Sequence, residues 1–253
     1  MIIDSETSMR LGKRGKTVNL FSNNPHSILL LGDHVYQYDL KKHTFNIATE
    51  QEGLDIIGTF LPITNYGNYT YLNDIKHIYR LDNRTNRLEV LYQCHKDTII
   101  NSVSLDEHGH FWIGNNYGLF HYNPDEKIQT PISTSLFSEV TSIVCDKQGK
   151  VWIGTNNMLF AWLIKEQKFV LFGESDGVIQ NEYLSKPCLL SSQGNIYMGG
   201  VKGLLHINST LPLITTEIPQ LQLSDVIING ESVNDKLNNN PTSISAPWNS
   251  NII

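Results

Sequence analysis

The chain has 253 residues, 40% of them hydrophobic, and a formal net charge of −6. That length holds one large β domain or two modest ones, and the acidic balance argues against a nucleic-acid binder, which carries a basic face. No stretch approaches the ~18 uncharged apolar residues of a membrane-spanning helix, and Met1 to Gly15 lacks the apolar centre of a signal peptide. The expectation is a cytosolic chain or a piece of a longer protein.

In chain order, residues 1–26 read as a lead-in or a partial blade. From residue 27 to 211 one pattern recurs. Apolar anchors stand at Leu30, Tyr71, Trp112, Trp152 and Tyr197, in steps of 41, 41, 40 and 45. The third and fourth carry the clearest copies, Asp106-Glu107-His108-Gly109-His110-Phe111-Trp112-Ile113-Gly114 and Asp146-Lys147-Gln148-Gly149-Lys150-Val151-Trp152-Ile153-Gly154. After each anchor come a tight turn, a second apolar run such as Leu119-Phe120-His121-Tyr122, a polar turn and a third run. A period near 40 with about four short strands per unit predicts an all-β fold, a β-propeller of four-stranded blades. About five repeats are present. Helical periodicity is nearly absent.

The repeated residues have structural reasons. Asp-x-x-Gly is a hairpin turn, in which Asp caps its own backbone and Gly takes positive φ. Trp112, Trp152 and Tyr197 begin central strands and bury aromatic area between blades. Gly114, Gly154 and Gly199 end those strands where backbones crowd. Cys94, Cys145 and Cys188 are too scattered for a zinc site or a disulfide framework and read as unpaired, mostly buried thiols.

After Asn208 the texture changes. Residues 221–233 read as strand, Asn229-Gly230 hairpin turn and strand. From Pro219 to Ile253 there is room only for the opening of a β-sandwich, which takes about 100 residues.

The sentence Asp-x-x-Gly-x-apolar-Trp-Ile-Gly, followed by Gly118-Leu119-Phe120-His121-Tyr122-Asn123-Pro124, resembles the two-component regulator propeller repeat. The segment 219–253 resembles the start of the immunoglobulin-like domain that follows such propellers. Together they resemble the periplasmic sensor region of Bacteroides-type hybrid two-component systems. The resemblance implies a non-catalytic, glycan-binding ectodomain, homodimeric in the parent sensor, that signals through a membrane helix to a histidine kinase. It also implies seven blades, so five units mark a fragment, with membrane and kinase parts lying elsewhere.

Candidate ligand groups are of two kinds. The turns after the anchors offer Asn116, Tyr117, Asn157 and Lys202, whose amides and aromatic ring suit sugars and whose types equally suit tight turns. Arg80, Arg84 and Arg87, with Lys76, form the densest basic patch, able to bind carboxylate or sulfate or simply to be solvated. No catalytic residue, cofactor or metal is expected: nine histidines form no His-x-x-x-His pair, and no Gly-x-Ser-x-Gly or phosphate loop occurs. Two other readings stand beside this one, an intracellular protein-binding propeller and, less favoured, a propeller lyase.

Overall fold

The structure is a computed structural model describing residues 19–32, 34–48, 58–132, 134–209, 227–229 and 231–232. Two compact units divide the chain at Leu211 and Pro212.

The first unit is built from antiparallel meanders in chain order. Blade one comprises β1 (Asn19–Asn24), β2 (Ser27–Leu31), β3 (Val35–Asp39) and β4 (Thr44–Ile47). Blade two comprises β5 (Leu61–Tyr66), β6 (Tyr69–Asn73), β7 (His77–Asp82) and β8 (Arg87–Gln93). Blade three comprises β9 (Ile100–Leu105), β10 (Phe111–Asn115), β11 (Gly118–Asn123) and β12 (Ile128–Ile132). Blade four comprises β13 (Ser142–Cys145), β14 (Lys150–Gly154), β15 (Leu159–Leu163) and β16 (Lys168–Phe172). Blade five has three strands among the described residues, β17 (Tyr183–Leu190), β18 (Asn195–Gly200) and β19 (Gly203–Asn208). Every anchor falls on a second strand, as the spacing predicts. Among the described residues blade one begins at Asn19, and residues 19–26, expected as a lead-in or a partial blade, supply its first strand and turn.

Blades stack through their first strands: β9 lies against β5 and β13, and β13 against β17. The core is accordingly a series of slabs between blades. Leu29, Leu31, Leu72, Tyr79 and Leu81 fill the first. Tyr71, Ile78, Val103, Phe111 and Ile113 fill the second. Trp112, Leu119, Val140, Ile143 and Ile153 fill the third. Consecutive residues face opposite slabs, Tyr71 one way and Leu72 the other, because side chains alternate along a strand. A blade therefore buries both faces only when it has neighbours.

The repeat resolves into atoms. One oxygen of Asp106 accepts the backbone N–H groups of His108 and His110, both at 2.9 Å. Its other oxygen accepts the Trp112 indole N–H at 3.3 Å. Asp146 does the same for Gln148 and Lys150 at 2.8 and 2.9 Å, and for Trp152 at 3.0 Å. Gly109 and Gly149 hold φ of +81° and +79°, the left-handed region where glycine carries no Cβ penalty. Gly114 packs against Val140 and Ile143 of the next blade, and Gly154 against Ser142 and the root of Tyr183. Seams between blades also carry polar links. The Ser102 and Ser104 hydroxyls accept the Ile143 and Cys145 N–H groups at 3.0 and 2.9 Å.

In the second unit, β20 (Ile227–Ile228) pairs with β21 (Glu231–Ser232), and Asn229 takes φ +53°. This hairpin sits where the Asn-Gly signal placed it. The remainder of the expected sandwich segment 219–253 lies outside the described residues.

Candidate functional site

In an antiparallel meander the turns alternate between two ends of the sheet. One end of the blades carries the first-to-second turns, at residues 67–68, 106–110, 146–149 and 191–194. The opposite end carries the second-to-third turns, at 116–117, 155–158 and 201–202. Both described cavities open at the first end.

The larger, about 570 Å³, lies between the innermost strands of blades two to five. Its wall includes Thr64, Asn65, Ser104, Cys145, Lys186 and Ser191. Lys186 donates from blade five across to the Pro62 carbonyl of blade two at 3.2 Å. The surrounding walls lower its pKa. Burial pushes the Cys188 thiol up to about 12, and its Sγ lies 3.2 Å from the Ile143 carbonyl. The thiols along this channel are therefore poor nucleophiles, since reactivity needs the thiolate. All three cysteines are free, with Cys94 and Cys145 buried. At the mouth stand Tyr66, 47% exposed, and the exposed Glu107 and Lys147. The Tyr66 hydroxyl donates to the Glu107 carbonyl at 3.3 Å.

The second cavity, about 410 Å³, is a groove between blades three and four lined by Trp112, Trp162, Asp106, His121, Asp146 and Lys165. Asp106 is lowered below the ordinary carboxylate value. Burial works against this, but the bonds to His121 and to the His110 and His108 N–H groups outweigh it. The carboxylate therefore stays ionised at neutral pH. Among the described residues, Asp106, His110 and His121 form a group whose donor atoms lie within 4.8 Å of one another. Helical spacing motifs do not detect such a group. It arises because β10 and β11 pair Trp112 with His121, which sets His121 beside the turn holding Asp106.

The residues expected from sequence do not converge. Asn116, Tyr117, Asn157 and Lys202 sit at the end away from both cavities. Asn116 is occupied structurally: its Oδ1 accepts the Ile99 N–H at 2.8 Å and its Nδ2 donates to the Asp97 carbonyl at 3.2 Å. The Asn157 Oδ1 accepts the Thr155 hydroxyl at 3.4 Å, and the Lys202 N–H donates to Asn181. Tyr117 is 62% exposed. Arg80 pairs with Glu89 at 2.6 Å and lies 4.7 Å from the Tyr69 ring centroid. Arg84 is exposed at the β7–β8 turn, 3.8 Å from Asp82, and Arg87 is exposed at the start of β8. Lys76 leaves that patch, since its ammonium donates to the Lys96 and Thr98 carbonyls at the other end of β7. Buried Asp74 accepts the Tyr79 hydroxyl at 2.6 Å and lies 3.1 Å from His77 Nδ1, a closed network that braces the β6–β7 turn.

Radial antiparallel blades around a channel define a β-propeller. Residues 135–157 match the two-component regulator propeller family, and the chain carries that repeat. No curated protein sequence matches. Two solved structures of the extracellular domain of BT4673 from B. thetaiotaomicron, described once as a one component and once as a hybrid two component system, are similar. They show 19% and 18% identity, a TM-score of 0.56 each, and coverage of 75% and 77% of this chain and 27% and 26% of theirs. PorZ, a surface component of the type-IX secretion system of Porphyromonas gingivalis, matches at 16% identity and TM-score 0.57, over 76% of this chain and 32% of its own. The chain thus spans about a third or less of each. Among the described residues no helix is long and apolar enough to cross a membrane.

Proposed function

We propose that this chain is a non-catalytic, ligand-sensing propeller of an extracytoplasmic two-component sensor, and that it takes oligosaccharide at the channel-mouth face. The observation that carries this is the channel opening at the end where the repeated Asp-x-x-Gly turns gather. An exposed tyrosine, Asn65, Glu107 and Lys147 ring that mouth. An aromatic face beside amide, carboxylate and ammonium groups suits sugar rings and hydroxyls. The repeat at 135–157 supports the sensor class. In the longer sensor, ligand binding would be relayed through a homodimer and a membrane helix to a histidine kinase.

A thermal-shift screen of neutral and acidic oligosaccharides on the full chain tests this. At least one should raise Tm, and Tyr66→Ala or Lys147→Ala should remove the shift. A chain whose melting no oligosaccharide alters would overturn the reading.

A further inference from the structure

In blades three and four a group able to carry positive charge stands beside the repeated aspartate, while blades two and five have Asn65 and Ser191 at that turn position. In blade four Lys150 occupies it, its ammonium 3.3 Å from Asp146 Oδ2, 2.9 Å from Gln148 Oε1 and 3.2 Å from the Ser209 carbonyl. Cross-strand from the anchor aromatic stand Arg80 in blade two, His121 in blade three and His206 in blade five, while blade four has Ala161 there. Among the described residues, blade three alone brings two imidazoles to one carboxylate: His110 stands where blade four has Lys150, and His121 where it has Ala161.

We propose that Asp106, His110 and His121 form a binding site for a divalent transition-metal ion of the zinc type. Two imidazole nitrogens and one carboxylate oxygen are the donor set that zinc, nickel and copper prefer over calcium and magnesium. Asp106 Oδ2 and His121 Nε2 stand 3.7 Å apart. Two ligands on a tetrahedral zinc are separated by about 3.4 Å, so this pair needs almost no movement. The His110 and His121 rings meet edge to face at 5.1 Å. The carboxylate is oriented in advance: two backbone N–H groups hold Oδ1, and the Trp112 indole holds Oδ2. Such outer partners fix a metal-binding carboxylate. The His121 side chain is 28% exposed, and the cluster lines the 410 Å³ groove, so an ion has access from solvent. Three protein ligands leave a coordination position for water or for an oxygen donor in the groove.

Titration calorimetry of the chelator-treated full chain with zinc chloride tests the site, with copper quenching of tryptophan fluorescence as a second reading. The Trp112 and His121 rings are centred 4.7 Å apart. One equivalent of zinc should bind, and copper should quench. His121→Gln and His110→Gln should each weaken zinc by about tenfold or more, while His95→Gln leaves it unchanged. Melting of each apo variant separates lost binding from lost fold. Absence of zinc binding, equal binding of magnesium, or full affinity in both His→Gln variants would overturn the proposal.

Discussion

Blades three and four share the same turn, anchor and terminal glycine, 40 residues apart, and each folds into its own four-stranded antiparallel sheet. They differ in what faces the repeated carboxylate. Blade four supplies its own cation: the Lys150 side chain is 10% exposed and that of Asp146 is fully buried. Blade three supplies imidazoles, which can be neutral, protonated or metal-bound. The repeat thus fixes backbone, capping and indole hydrogen bond, while the position four residues after the aspartate is left free to become a permanent ion pair or an exchangeable seat.

The largest expected effect separates the two. Asp146→Ala leaves a buried ammonium without its carboxylate and an indole without its acceptor, and should destabilise the chain by about 3–5 kcal/mol. Asp106→Ala removes the equivalent indole and backbone acceptor but strands no buried ammonium. It should cost only about 1–3 kcal/mol. Urea unfolding of both variants measures the gap, and equal losses would break the comparison.

The terminal glycines sharpen it next. A methyl group at Gly154 meets the Ser142 hydroxyl and the Cβ and Cγ of Tyr183, whereas at Gly114 it meets the Cγ1 and Cβ of Val140 and the movable Cδ1 end of Ile143. Gly154→Ala should therefore cost about 2–3 kcal/mol and Gly114→Ala about 1–2 kcal/mol, read from the same unfolding curves.

A smaller effect belongs to pH. Burial raises the Cys188 thiol from 9.0 and the Tyr92 hydroxyl from 10.0, each to about 12. A group raised in the folded state favours folding fully below its unfolded pKa and progressively less above it. Stability should hold from neutrality to about pH 9 and decline as pH rises from there towards 12. Cys188→Ala should reduce the slope at the start of that window. Tm measured against pH checks both.

Much of the fold was legible because burial between blades imposes residue types. Trp112, Trp152 and their glycines announce second strands, and Asp106 and Asp146 announce the turns before them. The Asn229-Gly230 signal likewise fell on a hairpin. The site was less legible. Asn116 and Asn157 resemble sugar-binding amides, yet turns ask for the same residue: Asn116 bonds the Ile99 and Asp97 backbones, and Asn157 meets the Thr155 hydroxyl. Sequence alone did not reveal that they lie at the end opposite the cavities. The meeting of His110 with His121 depends on hairpin register: the 11-residue separation becomes a contact only once Asn115 pairs with Gly118 and Trp112 with His121. No periodic motif encodes that.

The face that takes ligand is the central claim, and hydrogen–deuterium exchange with a stabilising oligosaccharide tests it most directly. Protection should appear in the turns at 65–68, 106–109, 146–149 and 191–194, with no change at 115–117, 156–158 and 201–202. Protection confined to the latter set would contradict the account.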